Sequence, residues 1–517
     1  MAKWSLFLFL LSVSVCCGSK ILVVFPVPSG SHANLGEGYL RNLLKAGHEI
    51  TYITPFPPKN VRPNLRHVLV SDTVKAISAS VFSLEALITK DVDLDANLIY
   101  DIMYNITRIA LEDKEVQKLL HDPREHFDLV IAEWMFNDMY SGFSAVFNCP
   151  YIWSFPYEPN FVALSLIDEA TNPAYTTNVA YSHVPPFTFA ERVEMLWFQV
   201  VSTVKSTFYQ RNLERDLYEK AYGPAVSKRG GVLPSYEDVR LNASMILGNT
   251  YVSTGTTIRL PQNFKPIGGY HIDPEVAPLP ANLKKIMDNS KDGVIYFSMG
   301  SNLQSKGFPD AMKKNLLKMF GTLKQSVLWK FEESFPNLPK NVHVLEWAPQ
   351  PSILAHPNCV LFITHGGLLS ITEAVHFGVP IIGIPVFFDQ YNNIDRAAKK
   401  GFGKKVVLSY HLANDLKVAI DEVISNPQYE QNVKEISFIY HNRPLPPGQE
   451  LVHWVEHVIA TKGAVHLRSP ALHVPLYQKL YLDLLAVIAL AIYAVKRFIS
   501  FQIFTSKRNR VPKKKRT

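Results

Sequence analysis

Ile21-Leu-Val-Val-Phe25, ended by Pro26 and followed by the turn-rich segment Pro28-Ser-Gly-Ser-His32, decides the fold. A short run of β-branched and apolar residues bounded by turn signals reads as a buried strand. The turn leads into a helical stretch to Lys45, Ala46-Gly-His48 closes it, and Glu49 to Ile53 reads as a second strand. Strand, helix and strand in this order form a βαβ unit. A comparable opening recurs at Val294-Ile-Tyr-Phe297, followed by Ser298-Met-Gly-Ser301, a helical stretch from Pro309 to Leu323, and a strand from Val327 to Phe331. Further strands are expected at Val342–Leu345, Val360–Thr364, Ile381–Ile384 and Val406–Leu408, with Gly378 and Gly401 closing two of the intervening helices. Near-continuous apolar strands alternating with helices imply parallel sheets covered on both faces, because such strands have no polar side to show to water. The expected fold is therefore α/β, with two Rossmann-like doubly wound domains facing a cleft. Their expected bounds are residues 19–265 and 266–465, divided in the Pro- and Gly-rich stretch 261–280. Residues 151–260 are mixed in pattern and rich in aromatics, and are expected to hold the variable substrate pocket.

The chain has 517 residues, with 53 Lys and Arg against 45 Asp and Glu and a formal net charge of +8. Nine of those cations fall in residues 496–517, which hold no acid, leaving 44 basic against 45 acidic residues elsewhere. A broadly basic nucleic-acid surface on the body is thereby excluded. Residues 1–18 combine an early cation, Lys3, an apolar stretch from Trp4 to Val15, and small residues up to Gly18, the layout of a cleavable secretory signal. Residues 476–495 are mostly apolar, with only Lys479 and Asp483 charged. As a helix they reach about 30 Å, one bilayer core. The basic tail 496–517 follows, and the positive-inside rule puts it in the cytosol. A second apolar patch, Phe498 to Phe504, is too brief to span and is expected at the interface. These features describe a single-pass type I membrane protein with a lumenal body and membrane lipid as one partner. The final Lys514-Lys515-Arg516-Thr517 resembles a dilysine retrieval signal, which places the protein in the endoplasmic reticulum membrane. Loss of the signal would remove Cys16 and Cys17 and leave Cys149 and Cys359, too few for a disulfide scaffold. Asn105-Ile-Thr107 and Asn242-Ala-Ser244 are glycosylation sequons available to a lumenal body.

The densest chemical signal runs from Trp347 to Gln390. It reads Trp347-Ala-Pro-Gln350, Phe362-Ile-Thr-His-Gly-Gly367, Ser370, Glu373, Pro380, Pro385 and Asp389-Gln390. The strand ending at Thr364 runs into His365-Gly366-Gly367, where glycines let backbone N–H groups approach a diphosphate at the start of the next helix. Ser370 adds a hydroxyl donor in the first turn. Glu373, three residues on, shares its helical face and suits vicinal ribose hydroxyls.

This constellation closely resembles the signature of the UDP-glycosyltransferase family, in its animal membrane-bound branch related to UDP-glucuronosyltransferases. The resemblance extends from Ser31-His32 to the membrane helix and tail. It implies the two-domain GT-B arrangement, a UDP-sugar donor, and no required metal or other cofactor. It implies further that Trp347 and Gln350 hold the uracil and ribose, that Ser301 and His365 contact the diphosphate, and that Asp389 with Gln390 binds sugar hydroxyls. Vertebrate relatives typically carry Asn-Gly where this chain has Leu369-Ser370. The Leu-Leu-Ser form resembles insect members and favours a neutral hexose such as glucose over glucuronate.

The proton-transfer candidate is His32, expected in the loop after the first strand. An acceptor hydroxyl has a pKa well above 7, so its attack on the anomeric carbon is helped by a general base that works near neutrality. The resemblance makes this histidine that base, oriented by an acid after a later strand. Here the matching strand is Phe127-Asp-Leu-Val-Ile-Ala132, and Glu133 takes the position, with Asp138 as the alternative. The implied reaction is inverting transfer of a hexose by single displacement to a hydroxyl of a small lipophilic acceptor, such as a phenol, flavonoid, steroid-like compound or xenobiotic. UDP would leave into the positive end of the helix after Gly366-Gly367. The acidic run Asp91-Val-Asp93-Leu-Asp95 has ligand-like spacing but lacks the Gly and Glu of a calcium loop, holding Ala96 and Ile102 instead. It reads as a solvated helix start. Two other readings compete: a non-catalytic sugar-nucleotide-binding membrane protein, and a transferase dedicated to lipid acceptors. Self-association into a homo-oligomer stays open.

Overall fold

The computed structural model describes residues 18–509, apart from 59, 78–87, 89–95, 177, 179, 180, 182, 184, 302 and 304. The expected signal, all but its last residue Gly18, the Asp91–Asp95 run and the dilysine tail lie outside the described residues. The chain forms two compact units that divide between Arg468 and Ser469.

The first unit is built on two wholly parallel sheets. Strands β1 (Lys20–Val24), β2 (Glu49–Thr54), β3 (Leu65–Leu69), β4 (Leu129–Glu133), β5 (Tyr151–Phe155), β6 (Met245–Gly248) and β7 (Phe264–Pro266) lie in the order β3-β2-β1-β4-β5-β6-β7. Strands β8 (Val294–Ser298), β9 (Ser326–Lys330), β10 (Val342–Leu345), β11 (Cys359–Thr364), β12 (Ile381–Gly383) and β13 (Gly403–Lys405) lie in the order β10-β9-β8-β11-β12-β13. Ile21 to Val24 are completely buried, as the unbroken apolar run requires. In each sheet the chain starts in the middle, fills one side, and then crosses to the other. The reversal falls between β1 and β4 in the first sheet and between β8 and β11 in the second. Ligands of such sheets bind outside the carboxyl ends of the strands at that reversal, where the loops diverge and leave a crevice. Both loops singled out in the sequence, after β1 and after β11, leave the sheets at these points.

Three local readings change. The helix after β1 runs from Gly30 to Lys45, so His32 sits in its first turn and not in a preceding loop. Ser29 is extended and its carbonyl accepts the first helical bond from Ala33 at 3.0 Å, although its side chain makes no cap bond. The last strand of the second sheet is Gly403–Lys405, in register with Ile381–Gly383, and not Val406–Leu408. Val406 makes one more bond, to the Gly383 carbonyl at 2.8 Å, and Val407 then turns out with 66 % of its surface exposed. Val406 is still buried and Leu408 packs against the same core, so the run keeps its apolar contacts without continuing the strand pairing.

The third change concerns the second unit. A short helix, Leu476–Lys479, ends at Tyr481, whose φ of 54° breaks the chain direction before a long helix from Leu482 to Asn509. Residues 482–506 of that helix are long and apolar enough to cross a membrane. The apolar segment thus begins later than residue 476 and continues through Phe498–Phe504 as one helix, because Lys496 and Arg497 are good helix formers that do not interrupt it.

The helix Pro447–Ala460 follows the second sheet in sequence but packs on the first. Leu451, Val455 and Val458, at i, i+4 and i+7, enter the cluster that holds Leu35, Leu40 and Leu43 of the Gly30–Lys45 helix. Each such fully buried leucine or valine contributes roughly 1.5–3 kcal/mol. The end of the body therefore braces the helix that carries His32.

Candidate active site

The end of β4 and the first turn of the Gly30–Lys45 helix bring two residues 101 positions apart into contact. His32 Nδ1 lies 2.5 Å from Glu133 Oε1. The Glu133 side chain is completely buried, while 13 % of the His32 side chain remains exposed. A carboxylate on Nδ1 fixes the proton there and leaves Nε2 with its lone pair for a substrate. Asp138 does not join them: it accepts bonds from Trp134 Nε1 at 2.7 Å and from Arg240 Nε at 2.8 Å, in a buried ion pair. Around Glu133 the hydroxyls of Tyr39, Tyr52 and Tyr140 are pushed up from the ordinary tyrosine range, mainly by burial and further by the Glu133 charge, and so stay neutral.

The facing wall is the loop after β8. A Cβ placed on Gly30 would lie 3.0 Å from the Ser301 Cβ and Oγ, so the helix start that carries His32 abuts Ser301 directly. Gly300, with φ of 87°, and Gly367 enclose the His365 ring: a Cβ on either would come within 2.5 or 2.6 Å of it. Burial, with a further contribution from the nearby Lys330 charge, lowers the His365 pKa to about 4, so the imidazole is neutral at pH 7. Its Nδ1 has no partner among the described residues. Gly366, with φ of 89°, turns the chain after β11, and Gly367 caps the helix Leu368–Phe377. The amides of that first turn have no carbonyl of their own helix to bond, an arrangement that suits an anion.

Gln350, Ser370 and Glu373 converge beside it. Gln350 Nε2 donates to Glu373 Oε2 at 2.7 Å and to Ser370 Oγ at 3.3 Å, and Tyr296 donates to Gln350 Oε1 at 3.3 Å. Trp347 is 69 % exposed, with Lys330 Nζ 5.9 Å from its ring centroid. Asp389 opens the helix Asp389–Lys399 and accepts from Asn393 Nδ2 at 2.7 Å. Burial pushes the Asp389 carboxyl up, offset by the Asn393 bond, by Arg396 and by His32. Gln390 Oε1 accepts from the amides of Val386 and Phe387 at 2.9 and 3.2 Å, which holds the residue against its own loop. A small cavity lies between Asp389 and Asn393 on one side and Glu158 and Asn160 of the first sheet's loops on the other.

Sequence reading missed two residues. Lys330, at the end of β9, donates to the Gly300 carbonyl at 3.1 Å and pairs with Glu332 at 2.9 Å, which sets a cation beside the His365 loop. Its signal was a lone cation inside the apolar run Val327–Phe331. Asn393 bonds both Asp389 and the Gly366 carbonyl, the latter at 3.0 Å, and so ties the two binding segments together. Its only signal was the spacing of one helical turn from Asp389. The sequon residues Asn105 and Asn242 are both exposed, and Asn242 Oδ1 accepts a bond from Arg468.

Comparison with known proteins agrees with this geometry. The family model described as UDP-glucoronosyl and UDP-glucosyl transferase matches residues 20–517. UDP-glucosyltransferase 2 of Dactylopius coccus is 33 % identical over 92 % of this chain and 91 % of its own length. UDP-glucuronosyltransferase 2B15 of Rattus norvegicus is 29 % identical over 99 % of both. Among solved structures, a UDP-glucosyltransferase from Polygonum tinctorium aligns with a TM-score of 0.57 at 14 % identity, covering 86 % of this chain and 99 % of its own. The glycotransferase of kitacinnamycin aligns with a TM-score of 0.55 at 16 % identity, covering 85 % and 98 %. The last two establish the GT-B fold alone. The chain belongs to the UDP-glucoronosyl and UDP-glucosyl transferase family and is a UDP-glycosyltransferase, an enzyme that passes a sugar from a UDP-sugar donor to an acceptor.

Proposed function

We propose that this enzyme transfers glucose from UDP-glucose to a hydroxyl of a small lipophilic acceptor, with inversion at the anomeric carbon and His32 as general base. The contact of His32 Nδ1 with the buried Glu133, at the cleft opposite the Ser301 and His365 loops, carries the proposal. The acceptor hydroxyl gives its proton to His32 Nε2 as its oxygen attacks, and Glu133 stabilises the imidazolium that forms. The bond from the anomeric carbon to the UDP oxygen breaks on the opposite side. The leaving diphosphate is met by the helix amides after Gly366, by Ser301, by the neutral His365, and by Lys330. Those groups offset its charge without a metal on this reading. Trp347 with Gln350 and Glu373 hold the nucleoside, and Asp389 with Gln390 holds the sugar. Leu369-Ser370 at the helix start, and a relative named for glucosyl transfer, favour the neutral sugar.

Membranes containing the protein, a phenolic acceptor and four separate donors (UDP-glucose, UDP-glucuronate, UDP-galactose and UDP-N-acetylglucosamine) test the donor. UDP-glucose is expected to be consumed fastest. Consumption of UDP-glucuronate alone would overturn the sugar assignment and leave the family intact.

The body is proposed to face the lumen of the endoplasmic reticulum, as a type I protein held by residues 482–506. Glycosidase treatment is then expected to increase gel mobility, with no change in an Asn105→Gln, Asn242→Gln double variant. An untreated wild type that already migrates with the double variant counts against a lumenal body.

A further inference from the structure

The helix Phe189–Lys205 and the π-turn Ser206–Gln210 that extends it are amphipathic in the wrong sense for a soluble protein. Of the seventeen helical residues only Met195 is buried. Phe189, Val193, Trp197, Val200, Val204 and Phe208 recur at helical spacing and are all exposed, Phe189 and Phe208 at 74 % and Trp197 at 68 %. At 100° per residue these positions fall within an arc of roughly 100–140°, with no charged residue inside it. Away from the stripe the helix meets the body: Phe198 packs on Phe161 and Tyr181, Glu191 pairs with His183, and Glu194, about 90° from the stripe's centre, pairs with the same histidine. A helix that folds for the sake of its own core does the reverse. Here the helix holds its shape through local bonding, with a full capping box between Thr188 and Glu191.

We infer that this stripe is a second bilayer contact, in which the helix lies flat in the lipid interface. Three observations favour lipid over other occupants. First, the chain brings its own bilayer segment: residues 469–481 are all that separate the body's last residue from the helix at Leu482, a tether of at most about 45 Å. Such a tether keeps the body's last residue within reach of a membrane surface and raises the local concentration of lipid around the body. Second, Arg192 and Lys205 flank the stripe, each about 110° from its centre, where their heads reach phosphate while their stems stay in the apolar layer. Third, the six exposed positions are Phe, Val and Trp, the one polar side chain in their arc being the half-buried Thr207 at its edge, and tryptophan suits the lipid interface. The stripe is about 30 Å long, the scale of an interfacial helix. The loop leading into it supplies the Asn178 carbonyl to Asn392, at the cavity beside Asp389. A lipophilic acceptor dissolved in the bilayer would therefore lie close to the cleft, so the contact extends the proposed acceptor class without depending on it.

The test uses the full chain, with Cys149 and Cys359 replaced, reconstituted into vesicles of phosphatidylcholine and phosphatidylserine. A fluorophore is placed in turn at Val200→Cys and at Lys314→Cys, the latter on the polar surface of the second sheet's helices. Quenchers carried on the lipid chains are expected to quench the label at 200 roughly threefold more than the label at 314. A Phe189→Glu, Trp197→Glu, Val204→Glu background is expected to abolish that difference while UDP binding is retained. Equal access of aqueous iodide to both labels overturns the inference. So does a label at 200 that is shielded from water but responds only to a second labelled copy, which would assign the stripe to a dimer.

Discussion

His32→Ala is expected to lower kcat/KM for sugar transfer by about 10²–10⁴-fold, with UDP affinity unchanged. The size follows from what the side chain does in the proposed displacement. A neutral hydroxyl attacks poorly, and the developing oxonium proton must go somewhere within hydrogen-bond reach as the bond forms. Removing the imidazole leaves water as the acceptor of that proton. UDP binding should survive, because the nucleoside and diphosphate contacts come from the second sheet's loops. The structural link nearest His32 is Gly30 against Ser301, and that link is backbone on the first side. His32 is also partly exposed and contributes no apolar core, so the alanine variant should fold. Isothermal titration with UDP and initial rates with a phenolic acceptor measure the two halves. Unchanged turnover with intact binding would remove His32 from the mechanism. Joint loss of binding and turnover would instead show that the helix start is a structural support for the donor site.

The parts of this arrangement that could be read from the sequence share one property: the signal is local. The runs Ile21–Phe25 and Val294–Phe297 are each buried on both faces, so their composition alone declares a central parallel strand. The donor segment from Trp347 to Gln390 is nearly continuous, and its members meet because β11, its helix and the next strand follow one another. Contacts across long separations were legible only where the resemblance supplies the rule. His32 and Glu133 are paired through the family resemblance, which implies an acid after a later strand, and the two strands they adjoin turn out to flank the reversal point. The Asp138 ion pair with Arg240 obeys no such rule, since Arg240 belongs to a short helix outside the βα rhythm. The start of the His32 helix was hidden for another reason. Ser29 caps it through its backbone alone, so Pro28-Ser-Gly-Ser reads as loop. Val406–Leu408 misled in the opposite way, with strand-like residues at a place where the sheet has already ended. Lys330 and Asn393 act by touching main-chain carbonyls, and a carbonyl leaves no mark on a sequence.

Glu133→Gln is expected to cost about 10²–10⁴-fold in kcat, close to the loss in His32→Ala, although it removes no atom from the contact. With the carboxylate present, His32 Nδ1 donates to Glu133 and Nε2 is the free base. A glutamine can turn its amide so that nitrogen faces Nδ1 and donates to it. The ring then carries its proton on Nε2, the nitrogen that must accept the acceptor's proton, and the base is lost by tautomer exchange. The imidazolium formed during transfer also loses its counter-charge. Glutamine matches glutamate in volume and adds no charge to a fully buried site, so packing around β4 should hold. Glu133→Asp separates this role from a structural one. The carboxylate survives but is withdrawn by one methylene, so partial recovery over Glu133→Gln is expected, with KM for the UDP-sugar the same in both. Residues that merely fill space would rank the variants the other way, because aspartate leaves a cavity and glutamine does not. A Glu133→Gln enzyme that keeps wild-type kcat, or one less active as aspartate than as glutamine, would remove Glu133 from the proton path and leave His32 to be oriented by something else.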